Sequence, residues 1–169
     1  MHTFGFMCRI TEIKKICDEW GIQLVEDAAE ALGSKSEGAS AGSFGLLGAF
    51  SFNGNKIITA GGGGIIVSND VELGQQAKNL TTTAKKPHLY EYFHDELGYN
   101  FRMPNINAAL LLAQMEKLEE YLSAKAKVYA EYHEYFTGTH SQINLVPIPE
   151  STSQWLSLIH ISEPTRQEA

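Results

Sequence analysis

Ten of the fifteen glycines fall between Gly33 and Gly64, and the last four of these, Gly61 to Gly64, are consecutive. Glycine gives the backbone access to positive φ and allows close approach of a second backbone or a ligand. A cluster this dense excludes a long helix across that stretch. It marks turns between short strands, and with them a site. The flanking residues set the layers. Thr11 is placed to cap a helix over Glu12–Trp20, with Ile13, Ile16, Cys17 and Trp20 spaced as one apolar stripe and Gly21 ending it. Cys17 on that stripe reads as a small core residue. Residues 22–26 then read as a buried strand with Asp27 at its end. Helix followed by short apolar strand is half of a βαβ unit, which predicts a parallel sheet. Ligands collect at the carboxyl ends of such strands, so Asp27 is well placed for chemistry.

Residues 47–52 predict a second strand, followed by the turn Asn53-Gly54-Asn55 and then Lys56. Gly64–Ser68 predicts a third, and Asn69 or Asp70 can cap a helix running to about Leu80. From Thr81 to Met103 there is no clear period, as in a functional loop. Pro104 suits the first turn of one helix continuing to Phe136, which at 1.5 Å per residue would reach roughly 50 Å. Its early part carries Ile106, Leu110, Ala113 and Leu118, its later part Tyr121, Tyr129, Tyr132 and Phe136. A helix of that length commonly leaves one domain and enters another.

Composition narrows the function classes. Across 169 residues, 13 basic against 20 acidic side chains give a formal charge of -7, opposite to the footprint of a nucleic-acid binder. No apolar run approaches a membrane span, and Met1-His2-Thr3-Phe4-Gly5 lacks the basic and apolar regions of a secretory signal. Cys8 and Cys17 form neither a disulfide framework nor a metal-ligand spacing, so no metal is expected. The expectation is a soluble, cytoplasmic protein with neither nucleic-acid nor membrane partners.

The chemistry-bearing set is Asp27 at a strand end, Ser51 and Lys56 around a Gly/Asn turn, and the Gly61–Gly64 run. A lysine after a buried strand can serve as a Schiff-base lysine, since desolvation favours the neutral, nucleophilic amine. A neighbouring carboxylate can keep a pyridine nitrogen protonated, which makes the ring an electron sink. Ser51 and nearby N–H groups can take a phosphate. Plainer readings compete. Lys56 can be a surface-loop lysine, Asp27 can cap the turn Ala28-Ala29-Glu30, and the glycine run can be a hairpin connection.

The order of several blocks adds a resemblance. Val25-Glu26-Asp27-Ala28-Ala29-Glu30-Ala31-Leu32-Gly33 is followed by Gly42-Ser43-Phe44-Gly45 and by Phe50-Ser51-Phe52-Asn53-Gly54-Asn55-Lys56. Then come Gly61–Gly64, Val67-Ser68-Asn69-Asp70, and Gly98-Tyr99-Asn100-Phe101-Arg102-Met103-Pro104 before a helix. The sequence resembles the DegT/DnrJ/StrS family of pyridoxal-phosphate sugar aminotransferases from Met1 to about Trp155. His2-Thr3-Phe4-Gly5, the Asn-Gly-Asn-Lys turn and residues 80–85 look most like its legionaminic-acid-type branch.

The resemblance implies an α/β fold: part of the large domain of an aspartate-aminotransferase-like (fold type I) enzyme, with a mostly parallel sheet and a long helix leading to a small domain. It implies pyridoxal 5'-phosphate as cofactor, Lys56 as the Schiff-base lysine and proton carrier, Asp27 on the pyridine nitrogen and Ser51 on the phosphate. Asn100 would reach the phosphate from the neighbouring subunit, making a homodimer with a shared site. Glu30 stands near the cofactor's phenolic oxygen where the family usually has glutamine, and a carboxylate offers no N–H donor there. His94, in the loop that carries Asn100, is a candidate substrate contact. The implied reaction moves an amino group from an amino acid such as glutamate to a 4-keto nucleotide sugar, in surface-polysaccharide or nonulosonic-acid biosynthesis.

Alternatives are a sugar dehydratase of the same fold, in which histidine replaces the lysine, and a non-catalytic module of the same shape. The expected division is 1–103 as a partial cofactor-binding domain, 104–155 as the inter-domain helix and start of a small domain, and 156–169 as a tail. Leu156–Arg166 resembles a translated sequencing adapter, so His160 and Arg166 are expected to carry no function. The chain is thus expected to be an internal fragment, inactive alone.

Overall fold

A computed structural model describes residues 1–138, 143–149 and 151–161. Helix α1 spans Ile10–Glu19 and starts at Arg9 without a side-chain cap, so Thr11 lies inside it rather than ahead of it. Its exposed face is laced by Lys14 Nζ to Asp18 at 2.7 Å, the i,i+4 pairing that supports a surface helix. The apolar stripe does not reach a core. Only Ile10 is buried, while Ile16 and Trp20 are 55% and 77% exposed and Cys17 is half-buried. The stripe has the right period, but the described residues supply no layer to cover it.

Strand β1 is confined to Val25–Asp27 because the chain leaves α1 through a turn in which the Ile22 N–H donates to Cys17 O at 2.8 Å. A hairpin of β2 (Lys35–Ser36) and β3 (Ala39–Ser40) follows, turning through Glu37 and Gly38, both at positive φ. Strand β4 (Leu47–Ser51) runs parallel to β1, with Asp27 level with Ala49. Strand β5 (Gly64–Val67) joins β4 antiparallel, placing Gly64 against Ser51. The sheet β1-β4-β5 is therefore mixed, parallel on the Asp27 side only. Gly42 and Gly48 meet backbone to backbone, and a Cβ on Gly48 would collide with Gly42. That contact accounts for two of the clustered glycines.

Helix α2 (Val71–Thr81) is capped by Asp70, whose carboxylate accepts the Leu73 N–H at 3.0 Å. The stretch read as an aperiodic loop contains a short hairpin of β6 (Lys85–Lys86) and β7 (Phe93–His94). The single helix expected from Pro104 is two. Helix α3 covers Asn105–Met115 and α4 covers Leu118–Gly138. At the break the Lys117 N–H donates to Gln114 O, one residue short of the α-helical register, and the ladder restarts with the Tyr121 N–H on Lys117 O. Strands β8 (Ile143–Leu145) and β9 (Ile159–Ile161) pair antiparallel, so residues from the presumed tail form a ladder. The Tyr129 hydroxyl donates to Val146 O and accepts the Ile148 N–H, both at 3.2 Å, which ties α4 to the chain after β8.

The core is two small clusters bridged by Phe50. One holds Ala28, Ala31 and Ala41; the other holds Phe52, Ile58 and Ala60 under Leu111, Leu118 and Tyr121. The second cluster lies within the loop that carries Lys56, so the helices pack directly on the candidate site. Among the described residues no helix is long and apolar enough to cross a membrane.

Candidate active site

The frame of the site is a buried carboxylate that the motif reading passed over. Glu26, 1% exposed, accepts N–H groups from Gly42, Phe44 and Gly45 at 2.9, 2.6 and 2.7 Å, and Nε2–H of His2 at 3.0 Å. The His2 ring is equally buried, and its Nδ1 accepts the Cys8 N–H at 3.3 Å. That bond leaves the ring proton on Nε2, so the pair is a neutral imidazole donating to a carboxylate. Burial, the largest single influence, would raise the Glu26 pKa. The combined donors from Gly45, His2, Gly42 and Phe44 outweigh it and hold the carboxyl below its usual range. One negative charge thereby organises the Gly-Ser-Phe-Gly turn and fixes both to β1.

Because β1 and β4 are parallel, Asp27 and Ser51, each the last residue of its strand, stand at the same carboxyl edge. Asp27 is exposed, and its Oδ1 accepts the Ala29 N–H at 3.1 Å, the local turn bond that the plainer reading anticipates. Ser51 Oγ accepts the Asn53 N–H at 3.4 Å as the chain turns toward Lys56. The Lys56 side chain is only 13% exposed, and its Nζ lies 3.6 Å from Glu30 Oε1. Glu30 Oε2 is held by the Phe4 N–H at 2.7 Å. Nζ also sits 5.2 Å from the centroid of the Trp155 ring. Lys56 is thus not a free surface lysine.

The loop from Phe52 to Gly63 that presents Lys56 is clamped by α3. Gln114 reads Thr59 as a backbone would, accepting its N–H at 3.1 Å and donating to its carbonyl at 2.7 Å. Asn107 donates to Ala60 O, and the Phe52 N–H reaches Gly63 O at 2.9 Å. The Gly61–Gly64 run, with Gly61 and Gly63 at positive φ, returns this loop into β5.

Asn100 and His94 stay apart from this group. Asn100 forms an isolated bridge with Thr82, and His94 Nδ1 bonds Thr83 O at 2.8 Å; both are exposed. Neither hydrogen-bonds or ion-pairs with Asp27, Glu30, Ser51 or Lys56 among the described residues. A cavity of about 850 Å³ opens between β4–β5 and α2; its walls include the Gly61–Gly64 run and Asn107 but none of Asp27, Glu30, Ser51, Lys56, His94 or Asn100. Glu26, His2, Gln114 and Trp155 are the site residues that motif reading missed. For Glu26 and His2 the only signal was their place inside the quoted blocks Val25–Gly33 and His2–Gly5.

The geometry places a shielded primary amine beside a carboxylate, close to the carboxyl edge of an α/β sheet. The chain belongs to the DegT/DnrJ/EryC1/StrS aminotransferase family, whose sequence pattern matches residues 1–169. It is 36% identical over 166 residues to GDP-perosamine synthase of Vibrio cholerae, covering 96% of this chain and 44% of that protein. It is 34% identical to the UDP-4-amino-4,6-dideoxy-N-acetyl-beta-L-altrosamine transaminase of Campylobacter jejuni subsp. jejuni serotype O:23/36 (strain 81-176), covering 80% of this chain and 36% of that one. Among solved structures it is similar to Helicobacter pylori PseC, an aminotransferase involved in the biosynthesis of pseudoaminic acid. There the TM-score is 0.86 at 26% identity, covering 96% of this chain and 44% of PseC. The chain spans less than half the length of these relatives, and its fold is that of part of a fold type I large domain.

The donor set fits pyridoxal phosphate. An amine at Lys56, a carboxylate at Asp27 and a hydroxyl at Ser51 are the kinds of group that its aldehyde, ring nitrogen and phosphate call for. Two buried polar atoms close to this group, Ser153 Oγ and Trp155 Nε1, lack a hydrogen-bond partner. Both stand 3.1 Å from where a Cβ on Gly5 would be, as does Glu30 O, and Gly5 has a positive φ, so a side chain there would be crowded and strained.

Proposed function

We propose that this chain carries the cofactor lysine of an aminotransferase that moves an amino group from an amino acid, with glutamate as the donor, to a 4-keto nucleotide sugar. The observation that carries the reading is the Lys56 amine, shielded from solvent and 3.6 Å from Glu30, in a chain of an aminotransferase family. Pyridoxal phosphate, when bound, supplies an electron sink for proton removal at the carbon bearing the amino group. Lys56 would anchor the cofactor and carry that proton, and Asp27 would keep the ring nitrogen charged. Ser51 would bind the phosphate, together with Asn100 of a neighbouring subunit, which makes the active assembly a homodimer. Glu30 would lie by the phenolic oxygen, and His94 on the side where substrate enters.

The substrate class follows from the relatives. GDP-perosamine synthase and an altrosamine transaminase are both named for amino sugars, which supports an amino-sugar substrate; the role we propose is cytoplasmic, in polysaccharide or nonulosonic-acid synthesis. Residues 1–103 would then be large domain, 104–155 the passage into a small domain, and 156–169 a tail outside the enzyme's own sequence. A dehydratase of the same fold is disfavoured because position 56 is lysine rather than histidine. In the test, full-length protein is treated with pyridoxal phosphate and borohydride, digested and mapped. The expected product is a pyridoxyl group on Lys56, and transfer of labelled nitrogen from glutamate to a 4-keto sugar nucleotide. An adduct on Lys35 or Lys78 instead would overturn the assignment.

A further inference from the structure

Lys56 is bonded through its backbone, but its amine is held by groups from two distant parts of the chain. Glu30 supplies the carboxylate at 3.6 Å, and its second oxygen is tied to the Phe4 N–H, so it cannot swing away without breaking that bond. The other group is Trp155, 6% exposed, whose ring centroid lies 5.2 Å from Nζ. That is inside the roughly 6 Å within which an aromatic face attracts an ammonium.

The segment that presents the ring is itself fastened to the site. The Ser153 N–H donates to Ser34 Oγ at 3.0 Å, and that hydroxyl donates to Gly5 O at 2.7 Å. The Lys35 N–H donates to Ser151 O at 2.8 Å. Among the described residues the indole Nε1 has no hydrogen-bond partner, and the face of the ring lies toward Lys56.

We propose that Trp155 is a positioning residue for Lys56: its ring face and the anchored Glu30 carboxylate together hold the ε-amine in the site. The proposal rests on Lys56 being the reactive lysine, but its test does not need the cofactor. Amines of this chain are reductively methylated at neutral pH for a short time, and each lysine is quantified by mass spectrometry relative to the exposed Lys15. Trp155→Leu should raise Lys56 labelling about two- to fivefold, the factor set by a typical cation–π contact, and leave Lys85 and Lys86 unchanged. Trp155→Phe keeps an aromatic face and should return Lys56 close to the parent value.

Unchanged Lys56 labelling in Trp155→Leu would overturn the proposal. So would failure of Trp155→Phe to rescue, or a rise at every lysine together, since either result means that the ring only packs. The borohydride map keeps this apart from the proposed function. Absence of a pyridoxyl adduct removes the aminotransferase reading whatever the labelling ratio. An adduct on Lys56 with an unmoved ratio removes Trp155 alone.

Discussion

Two regions carry the candidate chemistry, and they are built differently. In the edge formed by β1, β4 and the Lys56 loop, nearly every polar group is tied within the chain. Glu26 takes four donors, Gln114 pairs both sides of Thr59, and Glu30 is shared between Phe4 and Lys56. The arm from Thr81 to Met103 also ties polar groups locally, as in the Lys86–Asp95 ion pair at 3.1 Å, but leaves its apolar surface uncovered. Leu89, Tyr90 and Tyr92 are 87%, 88% and 84% exposed, and His94 and Asn100 bond only the arm itself. Its shape is still specified, since Thr83 and Ala84 have positive φ and a Cβ on Gly98 would strike their backbone. A pre-organised arm with outward-facing aromatic and polar groups suits a surface that another body completes. The edge is self-sufficient; the arm is not.

The largest effect expected from breaking this contrast is at Lys56. Lys56→Ala should abolish the borohydride-stable pyridoxyl adduct and transamination by the full-length enzyme, because anchoring and proton transfer use one amine. An adduct that survives on another lysine would place the reactive centre outside the edge.

Next in size is the carboxylate beneath it. Glu26→Gln replaces an acceptor-only group by one whose NH2 faces backbone N–H donors, and should cost this chain about 3 kcal/mol or more. The pH dependence has a definite sign. A folded-state pKa held below the unfolded value means that the contribution is present above the unfolded glutamate pKa of about 4.3. It is lost as pH falls through the lower folded value. Parent and variant urea midpoints should therefore converge below about pH 4. A constant gap across pH 3 to about 7 would mean that Glu26 acts by shape rather than charge.

The edge was largely legible in the sequence and the arm was not, for a physical reason. Asp27, Ser51 and the Asn-Gly-Asn-Lys turn announce themselves through strand ends and turn chemistry, which are local. Asp70 as a helix cap is equally local, and residues 71–81 form as expected. What sequence reading missed is long-range. Trp155 reaches Lys56 only after the chain has passed through α3 and α4, and the Glu26–His2 bond joins residues 24 apart. The long helix failed for a subtler reason. Apolar spacing ran through Glu116–Lys117, but periodicity does not register a single hydrogen bond that shortens its span. The α1 stripe is a different case, since its period was right and the described residues supply nothing to bury it.

A smaller effect sharpens the contrast from the other side. Asn100→Ala and His94→Ala should change the stability of this chain by no more than about 0.5 kcal/mol and leave Lys56 labelling unmoved. In the full-length protein, Asn100→Ala should weaken cofactor retention, read from the absorbance that remains after gel filtration. A comparable loss in a monomerised variant carrying wild-type Asn100 would support action across the interface. If Asn100→Ala alters Lys56 labelling in the isolated chain, the arm and the edge are coupled within one subunit.

The smallest effect is expected at the chain's end. Strand β9 pairs with β8 through Ile143–Ile161 and Leu145–Ile159, and the Val146 N–H donates to Leu158 O at 2.9 Å. An isolated two-stranded ladder is marginal in water, so this pairing adds little by itself. What holds β8 to the body is Tyr129, whose hydroxyl bonds Val146 and Ile148. The contacts that this end of the chain makes toward Lys56 and Ser34 come from Trp155 and Ser153. All of these stand before residue 156. Deleting 156–169 should therefore lower stability by less than about 0.5 kcal/mol, with an unchanged circular dichroism spectrum and an unchanged Lys56 labelling ratio. A larger loss would show that the final ladder supports Trp155, and would make residues 156–161 part of the site's framework.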